Sequence, residues 1–317
     1  MTLPRKPSVH ESNPYREEAR RLRLQKRFSQ NFLIDGTVLQ NIVHAVGATE
    51  TDTLLEIGPG AGFLTQALLP TCQRLIAVEL DPRMVHYLGQ KFKNHPDVAK
   101  LTVIKGNILH FPLEDADTLG PEPVHVVGNL PYHMTAPILF HFVGELSQPD
   151  HPLRHRVRQL TFMVQKEVGE RITASPGKKS YNALSIACQL WFETDLKNMV
   201  PASAFYPSPQ VDSAVITLTP RSTPATPIKD YALFETLVKA AFAQRRKTLQ
   251  NSLKLAPHLS NSLLEKAFAA TAPLHQLEVA ALCQKRAEAL SIQLFGDLAN
   301  AYATAAKTAP PNSPNPG

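Results

Sequence analysis

Leu54-Leu55-Glu56-Ile57-Gly58-Pro59-Gly60-Ala61-Gly62-Phe63-Leu64-Thr65 is an apolar run that breaks into three alternating glycines and then resumes with helical spacing. The pattern reads as a buried parallel strand, a turn that needs backbone rather than side chains, and the start of a helix. Glycine is required where the main chain turns at positive φ or comes within van der Waals reach of a ligand, and the helix start offers unpaired N–H groups. A small-molecule cofactor is therefore expected at this turn, with Gly58 and Gly60 against it.

What the turn lacks narrows the choice. A dinucleotide fingerprint, G-x-G-x-x-G, needs its third glycine for close packing of helix on strand, and here that position is Phe63. The next strand, Leu75 to Asp81, carries Glu79 where nucleotide-binding α/β folds place a ribose-binding carboxylate. A single nucleoside without a pyrophosphate, such as S-adenosylmethionine, fits both observations. A nicotinamide-dependent oxidoreductase is the weaker alternative.

Composition sets the outer bounds. The 317 residues, 43% of them hydrophobic, allow two domains with packed cores. No apolar run approaches the roughly 20 residues of a membrane span, and the amino end has no signal-peptide pattern, so a cytoplasmic protein is expected. Cys72, Cys188 and Cys283 lack metal or disulfide spacing, and the 12 histidines form no trusted ligand pair, so no metal is expected. A net charge of +6 is compatible with a polyanionic partner.

Strand and helix signals alternate through the first two thirds of the chain. Helical spacing over Asp35 to Val46, the central strand and its glycine turn, a helix from Phe63 to Leu69, a strand ending at Glu79 and a helix from Pro82 come in turn. Strands over Leu101 to Lys105, Val124 to Val127, Arg158 to Gln165 and Val211 to Leu218 follow. This cadence requires a parallel sheet with crossover helices. Gly58, Glu79, Asn107 and Asn129 then fall at the carboxyl ends of strands, the edge where open α/β sheets bind ligands. Glu79 can accept ribose hydroxyls, and the Asn107 amide oxygen can accept from an adenine amine.

Asn129-Leu130-Pro131-Tyr132 carries the chemical clue. Proline restricts Leu130 to an extended conformation, so the Asn129 amide and the Leu130 carbonyl can point at one spot beside the Tyr132 ring. Such a cradle suits a planar base bearing an amino group. Two acceptors holding the N6 hydrogens of adenine favour pyramidalisation and free its lone pair for in-line attack on a sulfonium methyl, while the aromatic face stabilises the charge that develops.

With these residues in place, FSQNFL (28–33), EIGPGAGFLT (56–65), VELD (78–81), GN (106–107), GNLPY (128–132), QKEVGERI (165–172), PSPQVDSAV (207–215) and AFAQRRKTLQNSL (241–253) occur in an order that resembles the small-subunit ribosomal RNA adenine N6-dimethyltransferases of the KsgA/RsmA type. The resemblance covers about residues 26 to 295. It implies a Rossmann-like class I methyltransferase sheet with a small C-terminal all-helical domain. It further implies that Asn31, Leu33, Gly58, Glu79, Asn107 and Asn129 line an S-adenosylmethionine site. The implied reaction is dimethylation of two adjacent adenosines in the 3′-terminal hairpin of 16S rRNA, within the small ribosomal subunit or its precursor. The family usually has Asp where this chain has Asn107. Rivals are a DNA or large-subunit rRNA adenine methyltransferase and a non-catalytic ribosome-assembly factor.

Phe205, ahead of Tyr206-Pro207, is a candidate to close on the other face of a flipped base. The expected organisation is a basic, flexible leader over residues 1–26, a methyltransferase domain over 27–220, a helical domain over 221–303 and a disordered tail over 304–317. Helices are read over Tyr231 to Leu253, Leu263 to Ala270 and Gln276 to Leu290. Arg245, Arg246 and Lys247 are expected on the first of these helices, contacting RNA phosphates, and Gly177 to Tyr181 is a second basic loop. A monomer is expected.

Overall fold

The computed structural model describes residues 13–22, 31–113 and 119–308. The expectations for residues 1–12, for 23–30, including Phe28 and the second half of the basic leader, and for 309–317 lie outside the described residues.

Helix α1 (Pro14–Arg21) is followed by the two-residue strand β1 (Phe32–Leu33) and by α2 (Gly36–Val46), which the Asp35 carboxylate caps at its amino end. The alternating core is β2 (Thr53–Ile57), α3 (Phe63–Leu68), β3 (Arg74–Glu79), α4 (Pro82–Lys91), β4 (Leu101–Lys105) and β5 (Val124–Asn129). There follow α5 (Thr135–Val143), β6 (Val157–Gln165), α6 (Lys166–Ile172), α7 (Ala183–Trp191), β7 (Phe192–Val200), β8 (Phe205–Tyr206) and β9 (Ser213–Pro220). Helices α8 (Tyr231–Ala243), α9 (Leu249–Leu253), α10 (Asn261–Leu274), α11 (Val279–Gln284) and α12 (Ile292–Thr308) complete the chain.

Seven strands form one sheet in the order β4-β3-β2-β5-β6-β9-β7. β2 pairs in parallel with both β3 and β5, with Ile57 opposite Val78 on one side and Gly128 on the other. The chain thus runs outward from β2 to β4 and returns to β2's other flank at β5. That reversal opens a crevice at the carboxyl ends of β2 and β5. A separate ribbon pairs β1 with β8, Phe32 opposite Tyr206 and Leu33 opposite Phe205.

The fold class agrees with the sequence reading; several boundaries do not. The chain divides into two compact units: Met1–Thr135, Leu160–Lys166 and Lys197–Val215 in the first, and Ala136–Gln159, Glu167–Leu196 and Ile216–Gly317 in the second. This division differs from a single cut after residue 220, because its boundaries fall inside β6, β7 and β9. β7 and its preceding helix α7 carried no expectation; β7 alternates Phe, Glu, Thr, Asp, Leu, Lys, Asn, Met, Val with a half-polar face. The first part of the expected tail, residues 304–308, is helical instead, since α12 continues to Thr308; Tyr302 and Ala303 just before it are buried. Alanine has a small apolar side chain and a high helix propensity, so a stretch without large apolar residues can still be helix.

The leader also differs from a free arm over its described part. In α1, Ala19 is fully buried, Tyr15 packs on Phe63 with ring centroids 5.0 Å apart, and the Asn13 amide donates to the Ile34 carbonyl at 2.8 Å. Glu18 accepts from the Lys91 ammonium at 2.8 Å and from the Tyr87 hydroxyl. Lys91 also donates to the Ala61 carbonyl at 2.9 Å and lies 4.4 Å from the Phe63 ring centroid. The helix is therefore fastened to the glycine turn itself. Beneath it, Leu39, Ile42, Leu54, Leu64, Leu68, Leu75, Leu88 and Phe92 share one apolar core.

Glu18→Ala leaves Lys91 half-buried with one neutral acceptor. The expected cost is about 1–3 kcal/mol of unfolding free energy, read by urea denaturation, and an unchanged midpoint removes α1 from the folded core.

Candidate active site at the carboxyl edge of the sheet

The glycine turn adopts the conformation its sequence requires. Gly60 has φ +54°, and a Cβ there would sit 2.9 Å from the Phe32 ring. Gly58 has φ +64°, yet a Cβ on it would meet nothing within 4 Å. One glycine is enforced by packing against β1, while the other faces open space. The Gly58 N–H continues the sheet by donating to the Val78 carbonyl at 2.9 Å.

Glu79, at the end of β3, is 6% exposed, and its two carboxylate oxygens are held apart by different partners. Oε2 accepts from the Gly60 N–H at 3.0 Å and Oε1 from the Asp81 N–H at 2.8 Å. Burial pushes its carboxyl above the usual range, and the hydrogen bonds from Asp81 and Gly60 pull it back. Leu80 beside it is 54% exposed despite being apolar, so an apolar surface stands next to this carboxylate. The sequence reading passed over Leu80, although an apolar residue between two strand-end acids, Glu79 and Asp81, was a usable signal.

Asn107 follows β4, which pairs with β3 through Glu79 and Lys105. Its amide oxygen accepts from the Leu109 N–H at 3.1 Å, so the side chain caps its own turn first, and a second lone pair on that oxygen remains for a ligand. Leu33 is 5% exposed and lies in the apolar core.

Asn129 ends β5 and its Nδ2 donates to the Asn31 carbonyl at 3.0 Å. A carbonyl can only accept, so this bond fixes which half of the Asn129 amide points where: the NH2 is occupied and Oδ1 faces elsewhere as an acceptor. Leu130 is 1% exposed and its N–H donates to the Met163 carbonyl at 3.1 Å. The Pro131 carbonyl accepts from the Met134 N–H at 2.8 Å, closing a short turn that begins at Tyr132. The half-buried Tyr132 hydroxyl is 2.9 Å from the Ser213 Oγ. The structure thus joins Asn31 to Asn129, and Gly60 to Glu79, along one edge of neighbouring strands.

Glu56, in the quoted strand, was also missed as a site-shaping residue. It is 1% exposed and accepts from the Thr65 hydroxyl at 2.6 Å. Burial pushes its carboxyl up to about 7, with Glu79 adding to the shift and Thr65 and Lys91 opposing it.

Arg245, Arg246 and Lys247 lie in the second unit and are exposed, but their expected placement on a helix is incorrect. α8 ends at Ala243 and the Lys247 N–H returns to the Gln244 carbonyl at 2.9 Å, while Thr248 starts α9 as its cap. The cap and the buried Leu249 favour a new helix start. The Arg245 guanidinium donates to the Lys179 carbonyl and its Nε lies 3.7 Å from Glu288, so the two basic segments named from the sequence adjoin. Among the described residues no group of three or more His, Cys, Asp or Glu side chains is arranged to hold a metal, and no helix is long and apolar enough to cross a membrane.

Residues 21–289 match the family described as Ribosomal RNA adenine dimethylase. The chain is 41% identical over 250 residues to the Ribosomal RNA small subunit methyltransferase A of Geobacter metallireducens, covering 78% of this chain and 87% of the relative. It is 38% identical over 290 residues to the protein of the same name from Shouchella clausii, covering 90% and 92%. Among solved structures it resembles a dimethyladenosine transferase from Plasmodium falciparum with TM-score 0.64, 24% identity and coverage of 86% and 97%. It resembles the 23S rRNA methyltransferase ErmE almost equally, with TM-score 0.63, 24% identity and coverage of 86% and 100%. At that identity the two solved structures speak to fold.

The Glu56 shift has a definite sign. A carboxyl whose pKa in the folded protein is raised contributes stability that is complete below about 4.5 and disappears as pH rises through about 7. Glu56→Gln keeps an acceptor for Thr65 and removes the ionisation. Urea unfolding across this pH range is expected to show a smaller loss of stability on the alkaline side than in the unmutated protein; identical pH slopes would contradict the assignment.

Proposed function

The chain belongs to the ribosomal RNA adenine dimethylase family, its chemistry is S-adenosylmethionine-dependent dimethylation of rRNA adenine, and we propose that its targets are two adjacent adenosines in the 3′-terminal hairpin of 16S rRNA. Small-subunit rRNA is favoured by the names of the relatives with about 40% identity, since the fold alone resembles a 23S enzyme equally well. The proposed role includes a part in small-subunit biogenesis.

The observation that carries the site assignment is the Asn129–Asn31 bond at 3.0 Å, which turns Asn129 Oδ1 into a fixed acceptor. In the proposed arrangement Glu79 takes the ribose hydroxyls, Leu80 and Asn107 meet the adenine of the cofactor, and Gly58, Gly60, Asn31 and the Leu33 backbone line the same pocket. The open space beyond Gly58 and the buried carboxylate of Glu79 suit a nucleoside. When bound, S-adenosylmethionine supplies an electrophilic methyl group on a sulfonium. Asn129 Oδ1 and the Leu130 carbonyl hold the N6 hydrogens of the target base and so localise the nitrogen lone pair. Tyr132 offers an aromatic face to a ring that gains positive charge, and Phe205 stands as the candidate for the opposite face. Holding the acceptors in place before the reaction avoids reorganisation during it. The target bases must leave their stack, which is cheaper in a hairpin loop than in a duplex. Arg245, Arg246 and Lys247 are proposed phosphate contacts.

Incubation of unmethylated small ribosomal subunits with methyl-labelled S-adenosylmethionine, followed by nucleoside analysis, is expected to yield N6,N6-dimethyladenosine in the 3′-terminal hairpin of 16S rRNA. No label in the small subunits, with label entering 23S rRNA when large subunits are offered in parallel, would reassign the substrate. Replacing Arg245, Arg246 and Lys247 by Ala is expected to weaken RNA binding at low salt and to reduce the slope of log affinity against log salt by about 1–3, according to how many phosphates they neutralise. An unchanged slope would make these charges ordinary surface.

A further inference from the structure

The Tyr132 ring is attached to the site through a residue from a distant part of the sequence. Its hydroxyl meets Ser213 Oγ at 2.9 Å across 81 residues of chain, and Ser213 is fully buried at the first position of β9. A buried serine hydroxyl needs a partner, and here the partner is the phenol of the base-receiving motif. The residue before it is also secured. The Asp212 carbonyl accepts from the Lys166 N–H at 2.9 Å, and its carboxylate accepts from the Ala202 N–H at 3.0 Å. Ala202 opens the segment that leads into Phe205, and Ser208 Oγ closes the same segment on the Ala202 carbonyl at 2.8 Å. One strand start therefore holds both Tyr132 and the loop carrying Phe205.

We propose that Ser213 is a positioning residue for methyl transfer: its hydroxyl fixes the plane of the Tyr132 ring against which the target adenine lies, with Asp212 anchoring that fixed point to the Phe205 loop. This inference rests on the reading of Tyr132 as the base-receiving aromatic. A phenylalanine at position 132 would supply the same ring face but could rotate about its side-chain bonds. The hydroxyl thus serves orientation, because a ring face a few tenths of an ångström or some degrees off its mark loses part of the benefit of a preorganised site. Ser213 bonds to Tyr132, whereas Glu79 is held by Gly60 and Asp81, so cofactor affinity is expected to be independent of Ser213.

The test is a double-mutant cycle with Ser213→Ala, Tyr132→Phe and the pair, each measured for kcat on unmethylated small subunits and for S-adenosylmethionine affinity by calorimetry. Each single change is expected to lower kcat by about three- to tenfold, the loss corresponding to one hydrogen bond's net contribution, with cofactor Kd unchanged. The pair is expected to be no slower than either single change, because both delete the same bond. Additive losses, a kcat within twofold of the unmutated protein, or equal losses in kcat and cofactor affinity would overturn the proposal. If Ser213→Ala fails to fold, Tyr132→Phe removes the bond from its exposed end and the same kcat criterion decides. An unmutated protein that methylates neither subunit's RNA but binds S-adenosylmethionine would refute the substrate assignment and this inference with it, whereas a normal unmutated rate with an indifferent Tyr132→Phe refutes this inference alone.

Discussion

The carboxylate of Glu79 is nearly sealed from solvent, and two main-chain N–H groups hold it, one from the turn after β2 and one from the residue that caps α4. Burying such a group without partners costs several kcal/mol, so the glycine turn and the end of β3 are constrained to meet at one place. That meeting fixes the place at which a nucleoside is proposed to dock. It also explains why Gly60 must come so close to Phe32 that a side chain would collide, since its N–H has to reach the carboxylate. Glu56 precedes the same turn, and its carboxyl is pushed up chiefly by its own burial, with the nearby Glu79 charge adding to it.

On the other flank, the acceptors of the proposed cradle are set by bonds to residues distant in sequence. Asn129 donates to Asn31, Leu130 to Met163, and Tyr132 is tied to Ser213. Each bond removes one freedom from a group whose proposed role depends on direction. Asn31 adjoins β1, which pairs with β8 and so with Phe205 and Tyr206. The two segments proposed to enclose the target base are thereby parts of one hydrogen-bonded assembly within the first unit. Helix α1 adds a further restraint by clamping Lys91 on the Ala61 carbonyl, directly within the glycine turn.

The second unit has its own logic. Arg154 is 8% exposed and directs its guanidinium to the carbonyls of Val143, Pro149 and Gln148 while stacking 3.8 Å from the Trp191 ring centroid. Trp191 stacks in turn on Tyr231 at 5.4 Å, joining the start of α8 to the α7 end. A cation buried this way organises a loop through neutral acceptors.

The amino-acid sequence by itself determined the alternation of strands and helices, the glycine turn, the strand-end positions of Glu79, Asn107 and Asn129, and the order of motifs that points to the family. These follow from residue type at short spacing: apolar runs, positive-φ glycines and caps act within a few residues. Only the tertiary structure decided which way the Asn129 amide faces, that Ser213 meets Tyr132, that α1 packs on the turn, and that the Arg245 segment bends away from helix. Each depends on partners far apart in sequence, or on a cap competing with a continuing helix, and spacing along the chain holds no record of either. Half-polar β7 escaped notice for a related reason, since a strand of that composition is completed by the neighbours that pair with it.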